Sequence, residues 1–460
     1  MTKLVNHPAS FRDESGYIYH YGKDIFRSVN KVYREDYDFL LSSGLYDQLV
    51  SQKLLIAHRE IDPADVKPLN SEVYKIIKPR PLPFISYPYE WCYSQIWEAA
   101  KLTLLIEKTS LKYRMTLKDA SSYNVQFWGT QPVFIDTLSF IRLKKNSPWV
   151  AYRQFCQHFL SPLVLMKYRD FRLGKLSQLF LDGVDLDLAV KMLPLKSYFN
   201  FHLFLHLFLH SLGQKYLSKR PSAISAKKIT GLGLENLIES MRCAVNSLSI
   251  KKEKSFWSGY YEDNNYSASA FKNKIAVVIS LIRNLKPKWL IDLGSNTGLF
   301  SRLTSRYSQY VISIDNDPHS VEENFLRAKK EKINNLMPLL ADIINPSPSI
   351  GWRNFERQKL LDRLPVDTTL VLALIHHLYF SYNLSFPMMA DFFAACSRNL
   401  IIEYIPITDG QVQQLINLRT GQFSNYSEDK FVESFSRYFV IKKNFPLKGS
   451  LRSIYLLRKK

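Results

Sequence analysis

The sequence predicts an α/β protein in two parts: a doubly wound parallel sheet with a terminal antiparallel hairpin in the carboxyl-terminal half, preceded by a mostly helical α+β domain. Three observations carry this reading. After residue 255, short apolar runs alternate with amphipathic ones; a glycine-punctuated turn follows the first of those runs; and before residue 218 longer segments of helical period dominate. The 460 residues exceed one domain of ordinary size. With 46% hydrophobic and 22% charged residues the chain can bury a core, which excludes wholesale disorder.

In the second half, Trp289 to Leu293 reads as a buried strand, Gly298 to Tyr307 as a helix, Tyr310 to Ile314 as a strand and Pro318 to Ile333 as a helix. Leu336 to Leu340, Thr369 to Leu374 and Asn399 to Tyr404 continue the strands. Parallel neighbours need long returns, so this alternation builds crossover helices on both faces of one sheet. Tyr438 to Lys442 and Ser453 to Leu457, separated by a Pro-Leu-Lys-Gly turn, form the closing hairpin. In the first half, Leu102 to Leu111, Val150 to Tyr168 and Tyr198 to Leu212 have helical period. Lysine-rich stretches flank a helix-like segment, Leu234 to Leu248, and place a connector at 218–255 between domains at 1–217 and 256–460.

The net charge of +21 is spread evenly, with 33 basic against 22 acidic residues in 1–250 and 29 against 19 in 251–460. An anionic partner such as RNA is compatible with the surplus but not selected by it, because neither half holds a dedicated basic arm. Cys92, Cys156, Cys243 and Cys396 include no close pair, which argues against a disulfide framework and a zinc knuckle. Met1 to Arg12 lack an apolar core of signal-peptide length, and Phe201 to Leu209 is too short to span a bilayer. A soluble, cytoplasmic protein is expected.

The sharpest motif follows the first strand of the second half: Asp292-Leu-Gly294-Ser-Asn296-Thr-Gly298. A strand must turn into a helix there, and glycines let main chain approach a ligand where a side chain would collide. The spacing differs from the Gly-x-Gly-x-x-Gly fingerprint and lacks the Gly-Lys-Ser of a phosphate loop. Asp315 ends the next strand, 21 residues after Gly294, where a carboxylate reaches a ribose diol. Asp342 ends the third strand, where it can receive an adenine amino group.

These residues together resemble motifs I, II and III of class I S-adenosylmethionine-dependent methyltransferases, over about Phe256 to Lys460. The resemblance implies a Rossmann-like sheet whose seventh strand runs antiparallel, with S-adenosylmethionine as cofactor. It also implies roles: Gly294 and Gly298 shape the loop that carries Asn296, Asp292 faces the methionine amino group, Asp315 takes the ribose and Asp342 the adenine side. The segment Tyr260-Tyr261 to Tyr266-Ser267 resembles the aromatic lead-in that covers the cofactor in some members, which adds Tyr266 to the cofactor-binding set; a packed interdomain connector is the other reading.

Beyond the fourth strand stand His376 and His377, and after the fifth Glu403. Methyl transfer from a sulfonium needs a positioned nucleophile and, for a hydroxyl or amine, a base; histidine titrates in the right range. His376, His377 and Glu403 are therefore the catalytic candidates, against the plain alternative that they pack or shape the rim. Asn-Pro-Pro-Tyr and Asp-Pro-Pro-Tyr are absent here, which disfavours a nucleobase amino acceptor. The methyl acceptor stays unidentified.

In the first half, Asp119 and Asn124, with Asp136 twelve residues further on, resemble the catalytic loop and metal-binding acid of protein-kinase-like phosphotransferases. That resemblance implies Asp119 as base and Asn124 with Asp136 as magnesium ligands. Gly16-Tyr-Ile-Tyr-His-Tyr-Gly22 departs from a nucleotide loop, and Arg27 stands where a lysine is required. A polar turn between strands is the alternative. His202, His206 and His210 share one helical face and read as a packing stripe, since eight residues rise about 12 Å and one ion cannot join all three. Phe11 to Gly16, Ser86 to Trp91 and Leu117 to Asn124, with the second half, resemble the bacterial NoeA-type nodulation-protein-like methyltransferases over nearly the whole chain.

Overall fold

The computed structural model describes residues 5–22, 24–62, 72–213, 228–250, 267–365, 367–417 and 425–460. They divide into two compact units, Met1–Ile250 with Pro348–Lys359, and Lys251–Ser347 with Leu360–Lys460. The helix-like segment of the connector forms the helix Gly231–Ser247 and belongs to the first unit, where the Tyr93 hydroxyl donates to the Leu248 carbonyl and the Trp97 indole to the Val245 carbonyl. Tyr266 lies outside the described residues.

The first unit holds more sheet than expected. Strands β1 (Val5–Asn6), β2 (Ile18–Tyr21), β3 (Asp24–Asn30), β4 (His58–Ile61) and β5 (Val73–Pro79) pair antiparallel in the order β1-β2-β3-β5-β4. Short helices, Arg34–Ser42 and Leu45–Ser51, connect β3 to β4. Helix still outweighs strand in this half, as expected, but strands such as Asp-Ile-Phe-Arg-Ser-Val-Asn went unread because they mix charge on both faces, which hides the period of two. The long helix Tyr93–Lys112 is the hub of the unit, buried along most of its length. Two small ladders follow it, β6 (Met115–Leu117) with β9 (Phe140–Arg142), and β7 (Val125–Trp128) with β8 (Gln131–Phe134). Ser86 to Trp91 is a core turn, locked by the Trp91 indole on the Ser86 hydroxyl at 2.8 Å.

The second unit is one sheet of seven strands: β10 (Trp289–Leu293), β11 (Tyr310–Asp315), β12 (Leu336–Leu340), β13 (Asp367–Val371), β14 (Ser397–Tyr404), β15 (Phe439–Pro446) and β16 (Ser453–Lys459). The order is β12-β11-β10-β13-β14-β16-β15, with β10 to β14 parallel and β16 antiparallel to both of its neighbours. The last strand thus enters between β14 and β15 rather than at the edge. Leu290, Val311, Leu336, Leu370 and Ile401 meet Val278 and Ile282 of the helix Ala268–Leu285 in the core. The chain leaves β10 towards β11 and returns to β13 on the other side, so the carboxyl ends part at a switch point, the usual place for a ligand. β13 stops at Val371, three residues short of expectation, because Ala373 adopts a left-handed conformation with φ +50°.

Candidate active site

A cavity of about 300 Å³ opens at the carboxyl ends of β10 to β13. Gly294 and Asn296 enter its wall from the loop after β10, Asp315 from β11, Asp342 from the turn after β12, and Ala373, Leu374 and His377 from the segment after β13.

Local chemistry sets the shape of the loop. Gly294 has φ +69°, and a Cβ there would stand 3.1 Å from the Leu374 side chain, so both conformation and space call for glycine. The Gly294 and Ser295 amides donate to the Ile314 carbonyl at 2.9 and 3.0 Å, which folds the loop onto β11. Asn296 is left-handed at φ +51°, a conformation its short polar side chain tolerates, and its Oδ1 accepts the Thr297 amide at 2.6 Å. Gly298, at φ +72°, starts the helix Leu299–Thr304 but does not line the cavity. A Cβ there would fall 1.9 Å from Oδ1 of Asn324, a buried residue that donates to the Ser313 hydroxyl at 2.7 Å.

Asp315 ties the site together. Its Oδ2 accepts the Asn296 amide at 2.7 Å and its Oδ1 the Asp317 amide at 2.9 Å. Burial raises its pKa, while these amides pull it down. The Asn316 amide bears on the same group, and since a carboxylate has about four lone-pair sites, capacity for a further hydroxyl remains. Asp342 accepts the Ile344 amide at 2.9 Å. Asp292 is buried, takes the Ser301 hydroxyl and is not part of the cavity wall; burial pushes its pKa up to about 7.

The three catalytic candidates separate in space. His377 lines the cavity, and burial lowers its pKa, so the ring is neutral at pH 7. His376 packs beside it with ring centroids 4.2 Å apart, yet is only 2% exposed, and its Nδ1 has no partner among the described residues. Burial, then His377, Arg452 and Lys274, push its pKa down to about 2. Glu403 is a buried anchor rather than a pocket or rim carboxylate: its Oε2 accepts Lys274 Nζ at 2.7 Å and the Ala373 amide at 2.8 Å. Sequence reasoning missed Lys274 and Ala373. Lys274 did leave a signal, a lone charge on the buried stripe Ala270, Lys274, Val278, Ile282 of an amphipathic helix.

In the first unit the structure gathers the predicted kinase-like residues. Asn124 donates to the Ser139 hydroxyl at 3.3 Å, and that hydroxyl donates to Asp136 at 2.7 Å. Asp119 has its pKa raised by burial and then by Asp136, against a hydrogen bond from Asn124. Asp136, however, is ion-paired with Arg27, both side chains being largely buried. No group of three or more His, Cys, Asp or Glu able to hold a metal occurs among the described residues.

No protein-family model matches the chain. Nodulation protein NoeA of Rhizobium meliloti (strain 1021) is 30% identical over 455 residues, which cover 97% of this chain and 94% of that relative. The chain belongs to the NoeA family. The relation spans both units, so NoeA-family membership applies to the two-part chain as a whole. Among solved structures, the N-methyltransferase NodS from Bradyrhizobium japonicum WM9 matches at 9% identity and TM-score 0.31, over 42% of this chain and 98% of its own. Magnesium protoporphyrin IX methyltransferase (ChlM) from Synechocystis PCC 6803, with bound SAH, matches at 16% and 0.31, over 42% and 84%. The bifunctional kinase-methyltransferase WbdD matches at 14% and 0.30, over 41% and 39%. Scores this low carry no weight for the fold, which rests on strand order and register alone.

Proposed function

We propose that this NoeA-family chain is an S-adenosylmethionine-dependent methyltransferase acting on an oxygen or nitrogen of its acceptor. One observation carries the reading: a single cavity at the sheet's switch point brings together a glycine loop and the acids that end β11 and β12. The residues present fit the donor. Asp315 keeps acceptor capacity for a ribose hydroxyl, Asp342 lines the same cavity and is the acid available to the adenine amino group, and bare main chain at Gly294 permits close approach. Asp292, held by Ser301, stabilises the loop instead of facing the methionine amino group. When bound, the donor supplies an electrophilic methyl group on a sulfonium. His377 is neutral at pH 7 and takes the proton that an acceptor hydroxyl or ammonium gives up. Glu403 acts at one remove, by fixing Ala373 and so the wall that carries His377. The first unit recognises the acceptor.

Calorimetric titration of the full chain tests this reading. Heat is expected with both S-adenosylmethionine and S-adenosylhomocysteine, and Gly294→Arg should abolish it while first-unit amides keep their exchange protection. Absence of heat with either ligand overturns the assignment. For the first unit, the pairing of Arg27 with Asp136 neutralises the acid that magnesium would need, so recognition is favoured over phosphotransfer. Magnesium-dependent ATP binding that disappears in Asp136→Ala would reverse that preference.

A further inference from the structure

One face of the first unit inverts the pattern of an ordinary surface helix. The run Phe201–Leu203 and Phe204–Leu209 continues through residues 210–213 and turns histidine inward. His206 is fully buried between the Tyr152 hydroxyl at 2.8 Å and the Ser240 hydroxyl at 2.9 Å, and His202 meets Ser240 at 3.1 Å. Apolar side chains point out. Phe201, Leu209 and Leu212 are 71%, 45% and 63% exposed, along a run whose middle, Phe204–Leu209, is π-helical. The preceding turn adds Leu195 and Phe199 at 81% and 90%, and the first turn of the packed helix Gly231–Ser247 adds Leu232 at 69%. Asn200 anchors the turn by donating to the Ser247 hydroxyl at 2.9 Å, so this exposure belongs to a held element. Single apolar residues on a surface need no explanation, whereas a group of them marks an interaction site.

Charge over the same stretch has one sign. Between Asp187 and Glu235 the sequence contains seven Lys and Arg and no Asp or Glu. Lys196 stands between Leu195 and Phe199, and Lys228 just ahead of Leu232; both are exposed, and neither makes an ion pair among the described residues. Lys196 and Lys228 flank these side chains, with exposed Glu235 one turn on from Leu232, and aromatic and aliphatic side chains set beside unpaired lysines match the chemistry of an anionic bilayer surface, where rings and methyl groups enter the headgroup boundary and lysines meet lipid charge. No helix among the described residues is long and apolar enough to cross a membrane, so contact of this kind lies on the surface.

We propose that this face, built on Leu195, Phe199, Phe201 and Leu212 with Lys196 and Lys228, seats the protein on an anionic lipid surface. Flotation of the full chain with vesicles tests it, comparing phosphatidylcholine alone with phosphatidylcholine containing about one third phosphatidylserine. Enrichment is expected on the anionic vesicles, falling as salt rises. Phe199→Ser with Phe201→Ser should abolish it, and Lys196→Glu with Lys228→Glu should lower partitioning by at least about thirtyfold. All four positions are exposed, so circular dichroism should show an unchanged fold. Equal behaviour with and without anionic lipid, or binding that survives both pairs of substitutions, overturns the proposal. A dimer that Phe199→Ser with Phe201→Ser dissolves, without vesicle binding, would assign the face to a second copy and equally overturn it.

Discussion

Lys274→Met probes how the cavity wall is held. Lys274 Nζ lies 2.7 Å from Glu403 Oε2, with the side chains 4% and 0% exposed, and the same carboxylate oxygen accepts the Ala373 amide at 2.8 Å. Removing the ammonium leaves a buried carboxylate without that counter-charge, and breaking a buried pair from one side costs about 3–5 kcal/mol. Ala373 is held in a left-handed conformation that costs an ordinary residue about 1–2 kcal/mol, so a loosened Glu403 also frees the turn that carries Leu374 and His377. The single variant should therefore open β13 and β14 more easily by about 3–5 kcal/mol and weaken donor binding. Lys274→Met with Glu403→Gln should recover most of that loss, because the neutral amide still accepts from Ala373 and no isolated charge remains. Hydrogen exchange of β13 and β14 amides is the suitable measure, since a chain of two units need not unfold in one step. If the double variant loses as much as the two single variants combined, the pair is not coupled and the reasoning fails.

Other substitutions test the loop beneath the cavity. Gly298→Ala would put a methyl group 1.9 Å from Asn324 Oδ1, displace that side chain from Ser313 and impose a left-handed alanine. A loss of about 2–4 kcal/mol is expected, read as a lower thermal midpoint of the second unit; an unchanged midpoint would contradict the packing described. Asp292 has its pKa raised by burial from 3.8 to about 7, so between those values the folded chain keeps a proton that the unfolded chain has lost. Its contribution is therefore fully present below pH 3.8 and is lost as pH rises towards 7, by up to about 4 kcal/mol. Asp292→Asn should flatten that slope in urea midpoints measured from pH 4 to pH 7, and an undiminished slope would count against a buried carboxyl.

Much of the second unit was legible because its elements are local. β10, β11 and β12 are mainly apolar runs, broken by Asp292, Ser313 and Asp315, as strands covered on both faces tend to be, and the helix Pro318–Lys330 announces itself by Asp317 as cap with Pro318 behind it. The loop glycines were legible too, since left-handed backbone leaves few alternatives in the alphabet. In the first half β3 and the short β4 hid in mixed polarity, and the pairing of β3 with β5 joins segments about fifty residues apart in the chain, such as Arg27 with Ile77.

Composition, periodicity and turn chemistry were enough to specify a doubly wound sheet with an acid at each of three successive strand ends. They could not rank those acids. Asp292 and Asp315 occupy equivalent places in the pattern, yet Ser301 claims one while the other reaches the cavity. Nor could they pair Lys274 with Glu403, or Arg27 with Asp136, because each pair is more than a hundred residues apart and forms only when distant elements pack. Which way Phe201 and His206 point has the same origin. A helical stripe is written locally, but the side that becomes the inside depends on the neighbour it meets, here Tyr152 and Ser240.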